Sequence, residues 1–123
     1  MEKLTGTSGF NDRKKAIDDY SIAGDEATRT AVYNTDSTSG VVWRVRPGQE
    51  IVPHCHPNSD DIWICVQGAG VFYPELGVEE PVAKGDIIVS PKGACHGMRN
   101  TGDDDFVFVG ILAPVPADYQ ALA

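Results

Sequence analysis

The sequence predicts an all-β domain, a sandwich or barrel of short strands, with a short N-terminal arm ahead of it. Three observations lead there. From residue 40 onward the chain falls into short runs rich in valine, isoleucine and aromatic residues, and none sustains the apolar helical periodicity of about ten residues that a core helix needs. Glycine and proline punctuate those runs at close, regular intervals. A length of 123 residues is about one ordinary domain, enough for one core and too short for two.

In chain order the strand-like runs are GVVWRVRPGQ, EIVPHCH, DIWICVQGAG, VFYPELG, PVAKGD, IIVSPKGA, CHGMRN and FVFVGILAP. The turns between them have identifiable chemistry. Gly68-Ala69-Gly70 and Glu75-Leu76-Gly77 can supply positive φ, and Pro91-Lys92-Gly93 can make a tight bend. Gly102-Asp103-Asp104-Asp105 lacks the alternating ligands and closing glutamate of a calcium loop, and is read as a solvated hairpin turn. Residues 1–28 are mostly polar, and NDRKKAIDDY offers at best a short helix capped by Asn11 or Asp12. They are expected to form an arm or edge segment, lying on a partner subunit or hanging as a loose tail. Residues 29–123 are expected to form the single barrel domain.

Composition excludes several classes of function. A hydrophobic fraction of 41% with 23% charged residues is that of a soluble folded protein, and no apolar run is long enough to span a bilayer. The formal charge of −8 argues against nucleic acid and anionic lipid as partners, because both are bound by clustered lysine and arginine. The first fifteen residues, MEKLTGTSGFNDRKK, lack the apolar core and small-residue cleavage site of a secretory signal, and the three cysteines are too few and odd in number for a disulfide framework. A cytoplasmic, reducing location is the expectation.

The chemistry concentrates in HCHPNSDD, residues 54–61. Alternation along a strand puts His54 and His56 on one face and Cys55 on the other, so two imidazoles can converge on one point without the thiol. Gly48 is followed after five residues by His54, then His56, then after four residues Asp61 and after six more Gly68. Downstream, Gly85 is followed after five residues by Pro91, then Gly93, His96 and Asn100. The first pattern resembles the opening cupin motif, and the second matches the closing cupin motif at every fixed position. The resemblance covers roughly residues 40–113 and departs from the family at one place, where Asp61 stands for the usual glutamate.

Membership of the cupin superfamily, in its small single-domain form, implies an antiparallel jelly-roll barrel and a bound divalent transition metal ion, one of iron, manganese, nickel, cobalt, copper or zinc. It implies His54, His56 and His96 as nitrogen ligands and Asp61 as the carboxylate, favoured over Asp60 by its spacing to Gly68. An aspartate is about 1.5 Å shorter than a glutamate, more than the roughly 0.2 Å latitude of a coordination distance. Asp61 is therefore a direct ligand, a ligand through water, or a nearby base. The competing reading makes the histidines ordinary core residues bonded to backbone. If the strands of His54 and His96 pair as in cupins, Cys55 and Cys95 become neighbours on the outer face, near enough to test for a disulfide.

Counting by twos from Asp61 brings Trp63 and Cys65 inward and turns Ile62, Ile64 and Val66 outward; counting from His96 brings Met98 and Asn100 inward. With Phe106 or Phe108 from the last strand and Tyr73 from the strand after Gly70, these are the candidate pocket residues, although each except Trp63 is as readily barrel filling. Arg44 and Arg46 share a face, more simply a surface face than a carboxylate site, and Arg99 points away from the cavity. The function expected is a metal-dependent enzyme, of oxygenase or of isomerase or lyase type, acting on a small polar metabolite. The alternatives are a non-catalytic cupin that binds or senses a small molecule, and a metal-free sugar-type isomerase or epimerase. A homodimer is expected, as in many small cupins.

Overall fold

The structure, a computed structural model, describes residues 2–123. It is nearly all β. The strands among the described residues are β1 (Thr28–Asn34), β2 (Ser39–Val45), β3 (Glu50–Cys55), β4 (Asp60–Gln67), β5 (Ala69–Phe72), β6 (Glu80–Ala83), β7 (Ile87–Ser90), β8 (His96–Arg99), β9 (Phe106–Ala113) and β10 (Gln120–Ala121). They form two five-stranded sheets in the orders β1-β2-β9-β4-β7 and β10-β3-β8-β5-β6. Every pairing is antiparallel.

Alternation along these strands builds the core. The first sheet sends in Val45, Trp63, Cys65, Phe106 and Phe108, and the second sends in Ile51, Val82 and Met98. Met98, Phe106 and Phe108 have no measurable exposure, and each such side chain contributes roughly 1.5–3 kcal/mol by leaving water. The outward register is equally regular, with Ile64 exposed beside buried Trp63 and Cys65.

The run Gly102 to Asp105 is not a hairpin turn, because β8 and β9 belong to different sheets and the segment crosses between them. Asn100 pins that crossing. Its amide nitrogen donates to the carbonyls of Val45 at 2.8 Å and Asp104 at 2.9 Å, and its Oδ1 accepts from the Gly102 N–H at 2.9 Å. Asn100 is thus buried and fully engaged with backbone, and it does not face the pocket. Gly68 makes the crossing possible, since it sits at φ +88° and a Cβ there would lie 2.7 Å from the Asp105 carbonyl oxygen.

Ahead of β1 lie one helical turn, α1 (Phe10–Arg13), and a 3₁₀ turn at Ile17–Tyr20. The residue at the start of α1 is Gly9, with no side-chain cap, so the expected capping by Asn11 or Asp12 does not occur: both lie inside the turn. The following residues are tied to the edge of the barrel. Arg44 donates to Ser21 Oγ at 3.1 Å, and Gln49 Nε2 donates to the Gly24 carbonyl at 3.0 Å. Arg44 also pairs with Asp105 at 2.7 Å, and Arg99 pairs with Glu79 at 3.2 Å, so both side chains serve the outside of the barrel. No helix among the described residues is long and apolar enough to cross a membrane.

Candidate metal centre

The register of β3 against β8 sets up the site. Ile51 pairs with Met98 and His54 pairs with His96, so three steps along β3 match two along β8. The extra residue is a bulge at Val52-Pro53, where proline has no N–H to give the ladder. Strict alternation from Ile51 would turn His54 out; the bulge lets both face inward. Gly97, between His96 and Met98, makes room for it, because a Cβ there would lie 2.6 Å from the Ile51 carbonyl oxygen and 3.0 Å from that of Val52.

Each histidine has its Nδ1 against a backbone carbonyl: His54 on Val52 at 2.8 Å, His56 on Asp118 at 2.6 Å and His96 on Ala94 at 3.1 Å. A carbonyl only accepts, so Nδ1 carries the proton and Nε2 presents its lone pair inward, a tautomer assigned from the partner. Asp61 reaches into the same space from β4 of the opposite sheet. Its Oδ2 lies 3.0 Å from His96 Nε2 and 3.5 Å from His56 Nε2. One donor atom from each of His54, His56, Asp61 and His96 lies within 4.8 Å of all the others, and all four residues are buried or nearly so.

This arrangement calls for a cation. His96 Nε2 is buried with no hydrogen-bond partner, although the Asp61 carboxylate is beside it, because a lone pair facing a carboxylate oxygen is not a hydrogen bond. Burial pulls His54 down to a pKa of about 4 and keeps it neutral. Burial alone would raise Asp61, but the His56 and His96 imidazoles outweigh it and hold the carboxyl at about 2. The neighbouring Asp61 carboxylate raises His56 against the opposing effect of its burial. An ionised carboxylate among three imidazoles that point their Nε2 atoms at one spot is the donor set of a borderline transition metal ion.

Above the cluster opens a cavity of about 740 Å³. Of the residues expected in it, Trp63 lines the wall, while Cys65, Met98 and Phe108 lie beneath it in the core. Phe108 stacks under Trp63 with ring centroids 4.1 Å apart. Burial, followed by Asp86, pushes the Cys65 thiol up to about 11, so it is an inert core group. Tyr73 is misplaced by the sequence reading: Phe72 pairs with Met98 and packs on Trp63, which turns the next residue to the other side of the sheet. There the Tyr73 hydroxyl donates to Glu50, and burial leads the causes that raise it to about 12. The Cys95 thiol donates to the Tyr73 carbonyl at 3.5 Å and is raised first by burial and then by Cys55. All three cysteines are free and outside the donor cluster.

Several cavity residues come from segments with no motif. Asp25, Glu26 and Ala27 enter from the stretch before β1, Arg29 from β1, Val41 and Trp43 from β2, and Ala117, Asp118 and Tyr119 from the C-terminal segment. Tyr119 stacks on His54 with centroids 5.1 Å apart. Asp118 fixes the segment by accepting from the Asn58 backbone N–H at 3.1 Å and from its Nδ2 at 2.6 Å. The pairing of Gln120 and Ala121 with Cys55 and His54 holds the rest. The only sequence signals for this segment were its aromatic residue and the prolines before it.

Comparison with known proteins agrees with this geometry. A family model described as the cupin domain matches residues 41–112. A conserved protein with a double-stranded β-helix domain from Klebsiella pneumoniae has a similar structure, with a TM-score of 0.86 and 33% identity over 90% of this chain and 98% of that one. Protein SchB of Streptomyces halstedii is 41% identical over 58% of this chain and 54% of its own length. An oxalate-binding protein of Thermotoga maritima is 29% identical over 56% of each. The chain therefore spans about half the length of these two curated relatives.

Proposed function

The chain belongs to the cupin family, and from that premise we propose that it is a metal-dependent enzyme: His54, His56, His96 and Asp61 hold one divalent transition metal ion at which an organic substrate binds through oxygen. The observation that carries this reading is the buried Nε2 of His96, which has no hydrogen-bond partner and points with two other imidazoles at an ionised carboxylate. A bound ion would supply Lewis acidity and, if redox-active, oxygen chemistry as well. The backbone carbonyls of Val52, Asp118 and Ala94 orient the ligating rings, and Asp61 balances part of the charge. Its place among the three imidazoles, with Oδ2 3.0 Å from His96 Nε2, supports Asp61 as a ligand. The same orphaned nitrogen argues against the metal-free sugar isomerase.

Elemental analysis after anaerobic purification, followed by oxygen-uptake assays on diketones, catechols and hydroxy acids, tests the proposal. Iron with substrate-dependent uptake selects an oxygenase; zinc or manganese without uptake selects Lewis-acid isomerase or lyase chemistry. Equal metal content in the wild type and in a His54→Ala, His56→Ala double variant overturns both. A non-catalytic binding protein is the second reading. It is favoured by the relative that is itself an oxalate-binding protein.

A further inference from the structure

The cavity above the metal cluster says more about its occupant than the cluster does. We infer that the ligand is a flat, largely apolar compound that reaches the ion through one or two oxygen atoms, and not a small dicarboxylate such as oxalate. This rests on the proposed metal site and specifies its substrate class.

Size is the first argument. At about 740 Å³ the cavity lies within the roughly 300–1,000 Å³ range of sites for drug-sized ligands, far beyond what a two-carbon dianion fills. A small anion there would leave most of the apolar wall in contact with water.

The wall is the second. Trp43, Trp63 and Tyr119 bring three aromatic side chains to one cavity, and Val41 and Leu112 add aliphatic surface between the strands. Trp63 stacks on Phe108 and Tyr119 on the His54 ring, so each plane already has an aromatic neighbour that orients it. Rigid aromatic faces favour flat unsaturated partners through burial and offset stacking.

Charge is the third. Oxalate would bring two negative charges to an ion whose charge Asp61 already balances in part, and among the described residues Arg29 is the single lysine or arginine that lines the cavity, against the carboxylates of Asp25, Glu26, Glu50 and Asp118. The Asp61 carboxylate cancels one of a divalent ion's two charges. Of the amide side chains lining the cavity, Gln49 is already engaged, accepting from the Arg46 N–H and donating to the Gly24 carbonyl. The formal charge of −8 on the whole chain adds a general bias against dianions. A neutral or singly charged hydroxy-ketone or phenol meets none of these obstacles.

The two tryptophans of the chain both line the cavity, so their fluorescence reports occupancy directly. The test titrates zinc-loaded and metal-free protein with 1-hydroxy-2-acetonaphthone, with 2-acetylnaphthalene and with oxalate, reading tryptophan fluorescence and calorimetry. The hydroxy-ketone should bind the zinc-loaded protein at least tenfold more tightly than oxalate. Trp43→Ala should weaken the hydroxy-ketone about tenfold while zinc per chain stays the same. Tyr119→Ala, at a position 60% exposed where folding is not at issue, should weaken it at least threefold. Oxalate binding as tightly as the naphthyl ketones, or aromatic variants that leave ketone affinity unchanged, would overturn the inference. If the chain retains no zinc, the proposed metal function fails by itself, and 2-acetylnaphthalene against oxalate on the metal-free protein still decides the cavity's preference.

Discussion

Oδ2 of Asp61 lies 3.0 Å from Nε2 of His96, although the two residues stand on different sheets. The shorter side chain that replaces the family's usual glutamate therefore reaches the histidine cluster. It does so because β4 pairs with β9 and β7 on either side, at Leu112 and Ser90, and is held in register at Asp61 itself. Asp61→Asn keeps the shape and removes the charge. Its metal affinity should fall by more than the roughly 10- to 100-fold typical of losing a supporting hydrogen bond to a ligand. Chelator competition on the folded variant measures this, and an unchanged affinity would mean that Asp61 is no ligand.

Asp118 supports His56 from the C-terminal segment. Its carbonyl accepts from His56 Nδ1 at 2.6 Å, and its carboxylate anchors the segment on Asn58. Asp118→Ala removes the anchor while leaving the carbonyl in the chain, so it should lower metal affinity about tenfold through misorientation of His56. Asp118→Asn keeps an acceptor for the Asn58 N–H and should fall between the two. Matching chelator titrations of the three proteins would show whether the order holds.

Acidification should destabilise the metal-free protein in a defined window. Burial lowers His54 from 6.5 to about 4 in the fold, so between those values the unfolded chain binds a proton that the folded chain refuses. Stability must then decrease as pH falls from 6.5 towards 4. Asp61, lowered from 3.8 to about 2, has the same sign and extends the loss below pH 4. His56 is raised, so its contribution is complete below pH 6.5 and is lost only as pH climbs through its folded value. Thermal melting of the metal-free protein at pH 7, 5.5 and 4.5 should show a falling midpoint, and His54→Gln should flatten the upper part of that decline. A midpoint that rises on acidification contradicts the assignment.

Much of the barrel was legible because alternation and glycine spacing are local properties. Asp61, Trp63 and Cys65 buried opposite exposed Ile64 is what period two dictates. Apart from the cap of α1, which is local, the failures are non-local. TRTAVYN at β1 is too polar to stand out, and becomes a strand because β2 offers its edge. The bulge at Val52-Pro53 depends on Gly97, more than forty positions away, and the turn of Tyr73 to the outer face depends on its neighbour's pairing with Met98. Trp43, Asp118 and Tyr119 reach the cavity only through tertiary return of the chain, which no spacing rule encodes.

The outer face of the first sheet carries the last prediction. β7 is an edge strand, and its Ile87 and Val89 are 66% and 60% exposed. They pair in register with Ile64 and Ile62, whose other neighbours across β4 are Val109 and Ile111, so six aliphatic side chains lie in two rows with no charge among them. Exposed apolar rows beside an unpaired strand edge favour association, and in this acidic chain an uncharged face is where two copies meet with least repulsion. Light scattering at micromolar concentration should give the mass of a homodimer. Ile87→Lys with Val89→Lys should give a folded monomer, since neither side chain is buried in the barrel, with a melting temperature that no longer depends on protein concentration. A monomeric wild type would remove this face as an interface.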